Sequence, residues 1–122
     1  MAVIKPTVTS IGRGDESTQL VVWTPVTEAD TCAAVSYPEY ADKSIHVSGT
    51  FGSGSVAVNG SNNSGASYVA LNDPSGTVIA ITTEKIKAVL ENTQLVQPAA
   101  SGGSSQSLTI SMLFHLTNPL RT

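Results

Sequence analysis

Two histidines and one cysteine, His46, His115 and Cys32, are the nitrogen and sulfur ligands that this sequence of 122 residues offers for a zinc site. Each histidine alternates with apolar residues, and both fall on the polar side of that alternation. Structural zinc sites draw their ligands from closely spaced pairs, whereas these three residues lie far apart in the chain. We therefore predict two surface or interface histidines, no metal site, no catalytic residue and no cofactor.

Carboxylates that could act as a general acid and base are also dispersed. Glu28, Asp30, Glu39 and Asp42 fall in one irregular segment without the tight, regular spacing of a calcium-binding loop. Asp73 sits in the sequence Asn-Asp-Pro-Ser-Gly, which is typical of a turn. An enzyme needs a base, a nucleophile or a metal placed together. The sequence therefore favours a structural or binding protein over an enzyme.

The composition favours contact with other protein rather than with nucleic acid. Charged residues make up 12% of the chain, against about 25% in ordinary soluble domains. The net charge is −3 and no basic stripe is present, so the electrostatic footprint of a nucleic-acid partner is missing. A polar but weakly charged surface suits close packing against protein or an outer coat, since little charge must be desolvated.

The sequence also lacks the signals of membrane insertion and export. No apolar run approaches the ~20 residues that a membrane-spanning helix requires. No charged leader followed by an apolar run opens the printed sequence, so we expect synthesis in the cytoplasm without export. A single cysteine, Cys32, excludes an internal disulfide.

Alternation of apolar and polar residues with a period of two dominates the chain from residue 43 to residue 83. It predicts an antiparallel meander of four strands, at 44–51, 55–61, 67–71 and 77–82. Turn signals rich in Gly, Asn, Asp and Pro separate these strands, and a hairpin is expected at 52–54. The segment 107–116 alternates most regularly, with five apolar residues on one side, and is predicted to be a central strand.

The remaining segments are predicted to pair with or cover this meander. Residues 2–9 look like an edge strand, because Pro6 cannot donate to a ladder. Residues 18–24 and 94–98 read as further strands, and residues 25–42 as a long irregular loop. Apolar residues at i, i+3 and i+4 within 83–90 predict one short helix.

Seven or eight short strands with turns about every ten residues indicate an all-β fold. We predict a two-sheet antiparallel β-sandwich, either immunoglobulin-like or jelly-roll, with one short helix. The chain is expected to form a single domain over 1–122. It would comprise N-terminal strands and a long loop (1–42), the meander, helix and final strand (43–116), and a tail (117–122).

Five residues are candidates for a protein interface. Trp23 is either a core anchor or a subunit contact, because tryptophan is enriched at interface centres. Tyr37 and Tyr40 flank Pro38 in a loop long enough to be functional or ordered by a partner. Pro119 and Leu120 lie in a tail that can rest on a partner.

Three consecutive segments carry a family resemblance. Residues 47–52 read V-S-G-T-F-G, residues 54–62 read G-S-V-A-V-N-G-S-N, and residues 68–76 read Y-V-A-L-N-D-P-S-G. This run resembles a pattern of small virion proteins of tailed bacteriophages, and the likeness extends over about residues 43–116. Tyr68 stands where tryptophan is expected in that pattern, and Asn59 stands where an acid is expected.

The resemblance implies a capsid decoration (cement) protein: a β-sandwich that binds the major capsid protein lattice on the outer surface of the virion, often as a trimer. It implies a homo-oligomer that stabilises the phage head without covalent bonds. Two other functions stay open, namely a tail, neck or fibre-anchoring virion protein and a carbohydrate-binding module with tryptophan or tyrosine platforms. A small hydrolase is the least favoured.

Overall fold

The computed structural model describes residues 3–11 and 18–116, and these residues contain ten β-strands. In chain order they are β1 (Val3–Ile4), β2 (Thr7–Ser10), β3 (Thr18–Val26), β4 (Thr31–Cys32), β5 (Asp42–Thr50), β6 (Ser55–Ser61), β7 (Val69–Ala70), β8 (Lys85–Val89), β9 (Leu95–Ser101) and β10 (Ser107–His115). The all-β prediction is confirmed.

Five strands form the larger sheet, in the order β2-β3-β10-β5-β8, and every neighbouring pair is antiparallel. Strand β10 lies in the middle of this sheet, as its regular alternation predicts. Its four apolar residues from Leu108 to Phe114 that face inward are at most 1% exposed. Burial of each such side chain contributes about 1.5–3 kcal/mol before the loss of conformational entropy is subtracted.

A smaller sheet of three strands, in the order β7-β6-β9, packs against the larger one. Its inward residues Val56, Val58 and Val96 belong to the same buried cluster as Ile45, from the larger sheet. The two sheets therefore form the predicted sandwich around one core. A short parallel pair, β1 with β4, lies beside them.

The predicted four-stranded meander is wrong in its connections. Strand β5 belongs to the larger sheet and β6 to the smaller one, so residues 52–54 carry the chain from sheet to sheet instead of closing a hairpin. The segment 77–82 makes only isolated bridges, through Val78 and Ile81. The alternation identified the strands, but a period of two is the same whether the next strand pairs alongside or packs opposite.

The predicted helix at 83–90 is also wrong, because residues Lys85–Val89 form β8 at the edge of the larger sheet. Val89 is 6% exposed, while Ile86 is 65% and Leu90 is 53% exposed, so the apolar residues at helical spacing do not share a buried face. Pairing with β5 decided the outcome over the local pattern. None of the described residues forms a helix that could cross a membrane.

The N-terminal prediction holds in part. The expected strand at 2–9 is divided around Pro6 into β1 and β2, and β2 is an edge strand. The segment predicted as irregular, 25–42, contains the short strand β4 and the bridge of Val35 to Val96. The tail 117–122 lies outside the described residues.

Candidate interaction surface

The three side chains with metal-binding or nucleophilic chemistry stay apart in the structure. His46 Nε2 lies 3.0 Å from Glu84 Oε2, and His115 Nδ1 lies 3.0 Å from Thr18 Oγ1. Cys32 is 2% exposed, and burial, followed by the charge of Asp30, raises the pKa of its thiol to about 12. Over residues 3–11 and 18–116, no group of three His, Cys, Asp or Glu side chains is placed to hold a metal ion.

Trp23 lies inside the sandwich. Its side chain is 0% exposed, and its indole Nε1 donates a hydrogen bond of 2.9 Å to the carbonyl oxygen of Ala33. A buried indole needs such an acceptor, and the segment after β4 supplies it. Trp23 therefore acts as a core anchor and presents no surface to a partner. Pro119 and Leu120 lie outside the described residues.

Residues 37–40, with Tyr37 and Tyr40 at their ends, form a compact turn at one end of the sandwich, which we call the tyrosine turn. The amide of Tyr40 donates to the carbonyl oxygen of Tyr37 at 3.0 Å, and the two rings meet edge to face with centroids 5.3 Å apart. The Tyr37 ring also packs on Phe114 of β10, at 4.9 Å. Burial, with a smaller contribution from Tyr40, raises the pKa of the Tyr37 hydroxyl. Both tyrosines are half-buried, so the turn is fixed by the core while one side faces solvent.

A buried lysine fixes the same end of the sandwich. Lys43 is 2% exposed, and its Nζ donates to Asn92 Oδ1 at 3.0 Å and to the carbonyl oxygens of Ala41 and Glu91 at 3.4 and 3.5 Å. Asn92 Nδ2 in turn donates to the carbonyl oxygen of Pro38 at 2.7 Å, inside the tyrosine turn. Burial lowers the pKa of Lys43, against a smaller opposing effect of Asp42.

Lys43 was not among the residues singled out from the sequence. The signal was present, because residue 43 has the same parity as Ile45 and Val47 along β5 and therefore faces inward with them. Because lysine is rarely buried, a lysine at such a position suggests that the strand begins after it. Here it extends the inward face and joins the loops at 38–41 and 90–92.

The central rows on the outward side of the larger sheet hold no Asp, Glu, Lys or Arg, although the Glu84 carboxylate reaches His46 from just before β8. These rows are Leu20–Leu113–Ser44 and Val22–Ser111–His46, each running across β3, β10 and β5. We call these six residues the outer face. Of the described residues that extend it onto β8, Ile86 pairs with His46 and is 65% exposed, and Ala88 pairs with Ser44. Leu113 is 37% exposed. Exposed aliphatic side chains and hydroxyls on one side of a sheet suit contact with another protein surface.

A shallow groove of about 310 Å³ lies at the β6–β7 connection. Its lining includes Ser61, Asn63 and Thr93. Ser61 Oγ donates to Asn63 Oδ1 at 2.8 Å, and Thr93 Oγ1 donates to the carbonyl oxygen of Leu95 at 2.8 Å. These polar groups are engaged in holding the connection together, so the groove is explained by local structure.

The Asp-Pro turn after β7 is built around one carboxylate. Asp73 is 7% exposed, and its Oδ1 accepts hydrogen bonds from the amides of Ser75 at 2.9 Å and Thr77 at 3.1 Å. Its Oδ2 lies 3.2 Å from Lys87 Nζ of β8. The hydrogen bond with Thr77 is the largest cause that lowers the pKa of Asp73. The carboxylate is thus used for structure, as the turn signal predicts.

Comparison with known proteins identifies no family. No protein-family model matches the chain, and no curated protein sequence matches it. One solved structure that resembles it is described as "IMPa metallopeptidase in complex with T-antigen", with a TM-score of 0.44 and 13% sequence identity. The match covers 90% of this chain but only 13% of that one. We infer neither activity nor family from it.

Proposed function

We propose that the protein is a structural virion protein, a capsid decoration protein that stabilises a phage head by non-covalent binding to the major capsid protein lattice. It would bind at the outer surface as a homo-oligomer, a trimer in the form that the resemblance implies. The observation that carries the proposal is the run of three motifs between residues 47 and 76. It is not a catalyst in this proposal.

The parts of the molecule that correspond to those motifs support the proposal by their structural roles. The first motif leads from β5 to the smaller sheet, the second is β6, and the third ends in the Asp73 turn that is tied to Lys87. The residues of the three motifs form strands, a crossing between the sheets and a turn, rather than a reactive site. Such structural roles are expected in a protein that occupies a fixed position in an assembly.

The outer face and the tyrosine turn supply the contact chemistry. Binding removes water from both surfaces, and a surface with few charges loses little hydration energy when it is covered. The buried contacts of Tyr37 and Lys43 fix the tyrosine turn before binding, which reduces the entropy lost on association. Each bound copy would add its binding free energy to the shell and so offset the outward pressure of the packaged genome.

The test is a cryo-EM reconstruction of expanded phage shells and of complete tailed particles, each incubated with the purified protein. We expect density for the sandwich at lattice positions over the whole head, with shells that resist heat better than undecorated ones. Density confined to the neck or tail would replace this proposal with the alternative virion role. A monomer that does not bind shells and binds glycans in an array screen would overturn both virion roles. Trp23 could not be the sugar-binding platform in that case, because it is 0% exposed.

A further inference from the structure

Strand β2 presents backbone groups with no partner among the described strands. It is the last strand of the larger sheet on its side, and all four of its residues are exposed. The amide of Ile11 donates to the carbonyl oxygen of Thr18 at 3.0 Å, which makes these two residues a hydrogen-bonded pair. Antiparallel pairs alternate, so Thr9 and Thr7 also bond to β3, and the backbone groups of Val8 and Ser10 point to the open edge.

The two edges of this sheet differ in how they are protected. The opposite edge strand, β8, carries Lys85 and Lys87, and the amide of Leu90 just after it donates to the carbonyl oxygen of Asn72 at 2.8 Å. Lysines and covering contacts of this kind discourage pairing with another strand. Strand β2 reads Thr-Val-Thr-Ser and has no charge along it. The β2 edge is therefore a template for a further uncharged strand.

We propose that this further strand is β2 of a second copy, paired antiparallel about a two-fold axis at Thr9. In this register Val8 lies opposite Ser10 of the second copy, and Ser10 lies opposite its Val8. All the outward amides and carbonyls of these residues are then used, in four hydrogen bonds. A register centred on Val8 would place Ser10 opposite Pro6, which has no amide to donate.

The contact joins two five-stranded sheets into one sheet of ten strands. Thr9 pairs with Leu20 and so lies on the side of the outer face, which becomes continuous across the two copies. Val8 and Ile11, 45% and 50% exposed in the single copy, lie at the new seam. This two-fold contact goes beyond the proposed function and differs from the three-fold contact that the resemblance implies.

Disulfide trapping tests the contact on the isolated protein. Thr9→Cys places two cysteines opposite each other in a pair that is not hydrogen-bonded, where Cα atoms are about 4.5 Å apart and within the range of about 4.4–6.8 Å that a disulfide spans. Thr7→Cys is the matched control on the same strand and the same side. Its two copies would be about 14 Å apart, four residues along the pairing. The native Cys32 is buried and does not compete.

We expect Thr9→Cys to form covalent dimers at least about tenfold faster than Thr7→Cys, since only the former meets disulfide geometry. Ile11→Cys alone should also stay single, whereas a mixture of Thr7→Cys and Ile11→Cys copies should cross-link, because residues 7 and 11 oppose each other in this register. Equal rates for Thr9→Cys and Thr7→Cys, or no cross-link in the mixture, would overturn the proposal.

Val8→Pro provides the second variant. It removes an outward amide that β3 does not use, so the sheet keeps its internal pairing. In the Thr9→Cys background we expect it to abolish cross-linking while circular dichroism and the unfolding midpoint show a folded sandwich. Unchanged cross-linking would contradict the edge pairing. Because no shell is present, these results do not depend on the proposed function.

Discussion

Lys43 shows how one side chain links the core to the surface. Its stem lies among β5, β8 and β10, with Phe114 and Val89 opposite it in register. Its ammonium group has neutral oxygens as partners, without a carboxylate in hydrogen-bond contact among the described residues. Burial therefore opposes the charged form, which is why the pKa is lowered. The free energy spent on desolvation is offset by hydrogen bonds that fix three loop positions.

Lys43→Met should alter the pH dependence of stability. A folded pKa below the ordinary value of 10.5 means that the unfolded chain binds more protons between those two pKa values. The free energy of unfolding of the wild type should therefore rise with pH through that window, whose upper end is 10.5. Methionine keeps the volume and removes the titration, so the variant should lose this rise.

Urea unfolding from neutral to alkaline pH measures the difference. Lys85→Met is the control, because Lys85 is an exposed residue of β8 and its removal subtracts the background of an ordinary surface lysine. A pH slope in Lys43→Met equal to that of the wild type would show that the buried ammonium is not the cause.

At the level of elements, the crossing between the two sheets depends on a close approach of backbones. Gly49 is near the end of β5, has a φ of +116°, and lies opposite Leu108 of β10. A Cβ atom at Gly49 would come within 2.3 Å of the carbonyl oxygen of Ser107. The strand can bend towards residues 52–54 here because no side chain separates the two backbones.

Gly49→Ala should destabilise the sandwich more than Gly76→Ala. Both glycines have positive φ, and such a conformation costs about 1–2 kcal/mol for alanine. At Gly76 a Cβ would meet open space, whereas at Gly49 it meets backbone that cannot move without breaking the pairing of β5 with β10. We expect an additional loss of about 1–3 kcal/mol for Gly49→Ala, because the added methyl group is inserted into a packed region.

Denaturant midpoints at an unchanged m-value measure this difference. Equal losses in the two variants would mean that the backbones separate freely at the crossing and that the steric account is wrong.

The elements also show what local sequence patterns can determine. The alternation in residues 44–51 and 107–116 marked β5 and β10 closely, since both strands have one buried and one outward side. The segment 83–90 was misassigned because an edge strand with a single buried apolar residue, Val89, has no clear period of two. The pairing partners of the strands could not be predicted for a different reason. Contacts between residues distant in sequence decide in which sheet a strand lies.

At the scale of the whole molecule, the fold class followed from strand spacing and turn chemistry. The residues that form the surface are harder to predict from the sequence. Trp23, for example, could lie on either side of β3, and only the register of β3 with β10 shows that it faces inward. The outer face could not be predicted either. Its rows combine Leu20, Ser111 and His46 from three strands that are adjacent in space but not in sequence.

If the protein binds phage shells as proposed and the outer face is the contact, Ser111→Lys should weaken that binding. Ser111 lies between Val22 and His46, and the carboxylate that reaches this row, that of Glu84, already contacts His46 Nε2 at 3.0 Å, so a covered ammonium at residue 111 would lack a partner of its own. Leaving such a charge without a partner costs several kcal/mol at a dry contact. A loss of about 1.4–3 kcal/mol corresponds to a fall in affinity of about 10- to 100-fold.

Ser75→Lys is the matched control, because it adds the same charge in the exposed turn after Asp73, away from the outer face. The measurement is the concentration of protein that half-saturates expanded shells, read from cosedimentation. We expect Ser75→Lys to bind like the wild type and Ser111→Lys to require a much higher concentration. If both variants bind alike, the outer face remains solvent-exposed on the shell. The contact must then lie elsewhere, for example at the tyrosine turn, where Tyr40→Ala is the variant to compare next.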